Sequence, residues 1–178
     1  MNVSNTVSVL YGKDNILLEI SANGTHQQIT FDMLRGIWND ISEGTTDDIE
    51  YLHAVVCEKY VICCSFVAQG QGGIVFVWDT DIQQIVHYSD GRFALTATIH
   101  NNKVYILRDV HYWGVKSHLE LDFCNFGTMS IDNDVTQIEL DEETANSFSD
   151  SFIEYKITFD ENNYPVINKK QVDEINSR

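Results

Sequence analysis

The chain has few basic residues to balance its acids, almost no proline and no long apolar run. Eleven Lys and Arg stand against 27 Asp and Glu, a formal net charge of −16 on 178 residues with a pI near 4.4. That balance excludes nucleic acid and anionic membrane as natural partners, because the field repels both and attracts basic proteins. A single proline, Pro165, leaves the strands free of that interruption. No stretch approaches about 18 consecutive apolar residues, and Met1-Asn2-Val3-Ser4 has neither a basic start nor an apolar run behind it. A cytoplasmic protein is therefore expected. The four cysteines agree with a reducing compartment. Cys57, Cys63 and Cys64 sit in apolar stretches, where the reduced side chain behaves as a small hydrophobe.

What is present is apolar and aromatic. Hydrophobic residues make up 43% of the chain, with nine Phe, eight Tyr and three Trp. That is enough for a core and too much for a disordered acidic chain. The length fits one β-rich domain over residues 1–178, with 169–178 expected to fray.

Short β-like runs alternate with turn residues along the whole sequence. Thr6 to Tyr11 and Ile16 to Ser21 flank Gly12-Lys13-Asp14-Asn15, and Gln27 to Phe31 follows Asn23-Gly24. Phe31, Leu34, Ile37, Trp38 and Ile41 recur at helical spacing, which predicts one short helix over 31–42 capped by Thr30. Glu50 to Cys57 and Tyr60 to Ala68 predict an antiparallel pair about Glu58-Lys59, with His53 facing Cys64 and both faces covered. Ile74 to Trp78, Gln83 to Tyr88, and a hairpin of Phe93 to His100 with Lys103 to Asp109 come next. Ser117 to Phe123 alternates, with Leu119, Leu121 and Phe123 inward and His118, Glu120 and Asp122 outward. Val135 to Leu140, a helical turn in Asp141 to Phe148, and a last hairpin of Phe152 to Phe159 with Tyr164 to Ile167 complete the pattern. The expected fold is mainly β, an antiparallel meander of about 11–13 short strands, in packed sheets or a propeller-like arrangement.

His53 to Tyr88 has a His near its start, two apolar strands, the Gly70-Gln71-Gly72-Gly73 turn, then Val77-Trp78-Asp79 before a further strand. This stretch, about a fifth of the chain, resembles a single blade of a WD-type β-propeller. The resemblance implies a propeller-like meander serving as an interaction platform. No second Trp-Asp pair occurs, and the chain is too short for seven blades of about 40 residues each.

No motif names a reaction. His111 and His118, with Cys124 nearby, lack the paired spacing of a zinc site. Asp79-Thr80-Asp81 offers two carboxylates but sits where a strand must turn. Asp132-Asn133-Asp134 begins like a Ca²⁺ loop, yet Gln137 stands where such a loop needs Gly. The Gly70 to Gly73 turn has neither the Lys nor the helix of a phosphate cradle. Neither cofactor nor catalytic residue is expected.

The acids themselves cluster. Twelve lie between Glu120 and Glu161 against one base, Lys156, and a second group comprises Asp40, Glu43, Asp47, Asp48 and Glu50. Such a run ordinarily serves solubility. Here it is interleaved with Tyr112, Trp113, Phe148 and Phe152, and aromatic anchors within a charged rim suit a protein interface. Asp132, Asp134, Glu139, Asp141, Glu142, Glu143, Tyr112 and Trp113 are the expected partner-binding residues. The expectation is a non-enzymatic binding protein, foremost a bacterial immunity protein that neutralises a basic toxin such as a nuclease. A propeller-like scaffold subunit is the alternative, and a metal-binding domain or enzyme using His111, His118, Asp79 and Asp81 the second.

Overall fold

A computed structural model of the chain describes residues 7–38, 49–67, 72–111, 114, 116–132, 134–146 and 153–171, without the side chains of Glu50, Tyr51, Phe66 and Val67. The fold is mainly β, with four antiparallel sheets and two short helices.

The first sheet has β1 (Ser8–Tyr11), β2 (Ile16–Ala22) and β3 (Thr25–Thr30) in that order, followed by α1 (Phe31–Arg35). The second is the meander β4 (Ile49–Cys57), β5 (Tyr60–Val67), β6 (Gly72–Asp79) and β7 (Gln84–Asp90). The third contains β8 (Ala94–His100), β9 (Lys103–Val110), β10 (His118–Asn125) and β11 (Thr136–Ile138). After α2 (Glu142–Ala145), β12 (Ile153–Phe159) and β13 (Pro165–Gln171) pair alone. Lys169–Gln171 thus belong to a strand rather than a tail.

Turn chemistry sets the register. Cys57 pairs with Tyr60 across Glu58-Lys59, which places His53 opposite Cys64 and Val55 opposite Ile62. His100 pairs with Lys103 across Asn101-Asn102, both with left-handed φ (47° and 59°), as a two-residue hairpin loop requires.

Three core clusters lie between successive sheets. Leu18, Ile20, Ile29, Phe31, Leu34 and Trp38 pack against Val61, Cys63, Ile74, Phe76 and Trp78. Ile62, Cys64, Val75 and Val77, from the other face of the second sheet, pack against Ala94, Ala97, Val104, Ile106 and Cys124. Tyr105, Leu107, Leu119 and Leu121 pack against Tyr155 and Ile157. The sheets therefore stack face to face in chain order, and the two middle ones are covered on both sides. Every residue of β6 is buried. The cysteines are free thiols, three of them buried.

Two sequence expectations need correction. The helix ends at Arg35, not at residue 42; Gly36 follows as its cap, and glycine is a poor helix interior residue. Ile37 and Trp38 continue as a turn whose N–H groups reach the Leu34 carbonyl, so Trp38 keeps its place in the core. Residues 39–42 lie outside the described residues. Asp122 does not point to solvent. It is buried, and so is Cys124 two residues on, because that face of β10 is covered.

Candidate functional site

The expected acidic residues gather around the edge strand β11. Asp132 and Asp134 precede it, Glu139 follows it, and Asp141, Glu142 and Glu143 open α2; all six are exposed. Asp141 caps the helix, its Oδ1 accepting from the Thr144 N–H at 2.9 Å and its Oδ2 from the Thr144 hydroxyl at 2.8 Å. Those bonds hold its carboxyl below the ordinary carboxylate range. Among the described residues no Lys, Arg or His pairs with Asp132, Asp134, Glu139, Asp141 or Glu142. Glu143 lines a small cleft of about 140 Å³ with Leu119, Thr144, Tyr155, Ile167 and Lys169. Tyr112, Trp113, Phe148 and Phe152, and the acids from Asp40 to Asp48, lie outside the described residues.

The other candidates are built into the fold. Asp79 is buried at the end of β6. Its Oδ1 accepts from the N–H groups of Asp81 (2.9 Å) and Ile82 (3.4 Å), and its Oδ2 pairs with Lys59 at 2.8 Å. Burial raises its pKa, but Lys59 and the two N–H groups outweigh that and leave it lowered. The 79–81 segment is thus an Asp-stabilised turn. His118 Nε2 meets Glu120 at 2.9 Å, which raises the imidazole pKa. His111 lies against Phe93, ring centroids 4.7 Å apart. Among the described residues no three His, Cys, Asp or Glu side chains gather closely enough to hold a metal ion.

Sequence patterning missed two features. Arg108 on β9 has a side chain only 6% exposed. Its Nε donates to Asp122 at 2.6 Å, its Nη1 to the Arg92 carbonyl at 2.6 Å and its Nη2 to the Asp90 carbonyl at 2.8 Å. One guanidinium so ties the β7–β8 connection to β10, beneath a polar cleft of about 330 Å³ bounded by Glu120, Val135 and Gln137. The signal available was register, since Glu120 sits opposite Arg108 and Asp122 two residues along. The second feature is His87, fully buried, with Nε2 3.7 Å from the Cys124 thiol and Nδ1 without a partner among the described residues. The Ser89 hydroxyl lies beside the same thiol and is buried without a hydrogen-bond partner among the described residues. Burial pulls His87 down to about 4 and pushes Cys124 up, so both are neutral at pH 7. A buried neutral pair closed off from solvent has no access to a substrate.

A groove of about 490 Å³ runs where β4, β8 and β12 approach one another. It is lined by 53–57, 96–98 and 154–157, unbroken runs of each strand. A groove over a sheet face meets alternate residues, so unbroken runs mean the strands are seen edge-on. Among the described residues each of the three is paired with another strand on one side only. In comparisons with known proteins, no family model, curated protein or solved structure matches this chain.

Proposed function

We propose that this chain is an acidic binding protein whose β11–α2 face captures a basic protein partner. The more specific form is a small inhibitor of the bacterial immunity type, which occupies a basic toxin such as a nuclease. One observation carries the reading: six carboxylates flank a three-residue edge strand, all exposed, and five are unmatched by any cation among the described residues. Against a net charge of −16, such a face accelerates encounter with a basic surface by steering rather than by contact energy.

The test is a low-salt pull-down from the native host, with bound proteins identified by mass spectrometry and their association timed against salt. A single basic protein is expected, its association slowing at least about tenfold between 50 and 500 mM salt. The quadruple variant Glu139→Lys, Asp141→Lys, Glu142→Lys, Glu143→Lys should slow it comparably at low salt. Association indifferent to both salt and charge reversal would refute the reading.

A propeller-like scaffold subunit is the second reading, supported by the face-to-face succession of sheets in chain order. The outer faces weigh against it. Ser21 and Gln28 on the first sheet, and Glu154, Lys156, Asn168 and Lys170 on the last, are exposed and polar, as in terminal repeats that cap a stack. A salt-resistant assembly of several proteins would favour the scaffold.

A further inference from the structure

We infer that the polar cleft beside β11 is a guanidinium pocket, which takes one arginine side chain of the basic partner. The inference deepens the binding-protein reading above and rests on it, since it names the side chain by which that partner is held once charge has steered it in.

Strand register builds the pocket. Side chains opposite one another in an antiparallel pair share a face, and so do residues two apart along a strand. Glu120 of β10 lies opposite Arg108 of β9, and Asp122 lies opposite Gln137 of β11. These four therefore project from one face of the third sheet. The same face, at Val104, Ile106 and Cys124, is packed on the second sheet. Past that packing lies the cleft of about 330 Å³, bounded on its other side by Asp90 at the end of β7 and by Arg92 and Phe93 in the connection to β8. The cleft reaches solvent: Gln137 is exposed, and the side chains of Arg92 and Glu120 are 44% and 28% exposed.

The cations already in the cleft do not use up its acceptors. Arg108 is turned into the fold, its Nε on Asp122 Oδ2 and its Nη1 and Nη2 on the Arg92 and Asp90 carbonyls. Asp122 Oδ1 is left without a donor among the described residues, on a side chain only 8% exposed. A buried carboxylate oxygen seldom goes unbonded, so this atom points to a ligand. Glu120 gives Oε1 to His118 and keeps Oε2, and the Gln137 side-chain amide makes no hydrogen bond among the described residues. Arg92 stands at the rim, its Nε 3.9 Å from Asp90. Three carboxylates, Asp90, Glu120 and Asp122, line the cleft against the guanidiniums of Arg92 and Arg108. With His118 neutral, one further cation balances them.

Shape selects arginine over lysine. Acceptors on three residues suit a planar fork of N–H donors better than a compact ammonium. Phe93, Val110 and Val135 form the apolar part of the lining, which covers the aliphatic stem and sets an aromatic ring beside the guanidinium. A cleft of this volume is at the small end of ligand pockets and fits a single side chain rather than a chain segment.

The probe is Nα-acetylarginine amide, titrated into the isotopically labelled full chain at about pH 8, where His118 competes least for Glu120. Backbone amide shifts are the readout, and Nα-acetyllysine amide is the comparison. Saturable shifts are expected at Glu120, Asp122 and Gln137, with arginine at least about threefold tighter than lysine. Two variants separate the pocket from the overall field. Gln137→Arg fills the cleft from within and should weaken the ligand about tenfold or more. Thr136→Arg adds the same charge one residue away, on the opposite face of the edge strand, and should change binding less than about twofold. If Gln137→Arg fails to fold, Gln137→Glu, expected to tighten the ligand about threefold, decides in its place. Shifts that do not saturate, shifts centred elsewhere, lysine bound as tightly as arginine, or equal loss in the two arginine variants would each overturn the inference. A basic partner captured in a salt-dependent way but indifferent to Gln137→Arg would overturn the pocket and leave the proposed function standing. Arginine seated in the cleft with no basic partner captured would refute the proposed function and the partner's arginine together, leaving the cleft to a free guanidino compound.

Discussion

His87 is the residue at which the interior is least satisfied. Its imidazole is enclosed between the second and third sheets, stacked on Phe126 with 14° between the ring planes, and Nδ1 meets no partner among the described residues. A base whose folded pKa lies below its unfolded value is protonated first in the unfolded chain. Stability is therefore intact above pH 6.5 and drains away as pH falls toward about 4. By pH 5 the linkage amounts to about 2 kcal/mol. Urea unfolding of wild type and His87→Leu at pH 7 and pH 5 checks this, and the variant should lose about 2 kcal/mol less between the two. An equal loss in both would place the acid sensitivity elsewhere. His53 shifts in the same direction through burial and adds to the wild-type slope in either case. The exposed acids around β11 were legible from sequence because nothing near them in the chain contradicts exposure. Asp122 and His87 were not, because what buries them arrives from other strands: Arg108 for Asp122, Cys124 and Phe126 for His87.

Among the elements, the β6–β7 junction depends on the absence of two side chains. Gly91 donates its N–H to the Gly73 carbonyl at 3.0 Å, and a Cβ on Gly91 would lie 2.2 Å from the Ile74 carbonyl carbon and 2.5 Å from the Val75 nitrogen. Backbone cannot yield as a flexible side chain does, so Gly91→Ala must push β6 away from the 91–92 turn. We expect a cost of about 2–3 kcal/mol and a thermal midpoint lower by roughly 4–12 °C. Gly127→Ala, where φ is 86° and nothing lies within 4 Å, should cost only about 1 kcal/mol. Thermal melts of the two variants test the contrast, and equal shifts would mean that conformation rather than contact governs both sites. Gly73 and Gly91 read in the sequence as ordinary turn residues; only the paired strands reveal how closely they approach. The hairpins were more legible. Asn101-Asn102 names its turn chemically, and the apolar runs beside Glu58-Lys59 fix the register despite a left-handed φ of 55° at Glu58. The helix pattern extended too far because periodicity counts Ile37 and Trp38, whose N–H groups both turn back to the Leu34 carbonyl instead of continuing the helical ladder.

At the scale of the whole molecule, charge and stacking pull in opposite directions. A core cluster lies between each pair of successive sheets, while a formal net charge of −16 places the surface under mutual repulsion. Among the described residues few ion pairs relieve it. The buried Arg108–Asp122 pair is internal, and Arg35–Asp32 and Lys59–Asp81 are largely exposed. Added salt should then stabilise the fold, since at 0.5 M the screening length falls to roughly 4 Å and like charges around β11 cease to interact, whereas exposed pairs have little to lose. The thermal midpoint is expected to rise by a few degrees between 10 and 500 mM NaCl at pH 7. Chloride and fluoride salts of sodium should act alike if screening is the cause. A flat or falling midpoint would mean that the acids are too far apart, or too well solvated, to strain the fold. The charge would then cost the protein nothing in stability, and the case for a basic partner would rest on encounter kinetics alone. A rise would mean that the protein tolerates a measurable strain around β11, which a basic partner bound to that face would relieve.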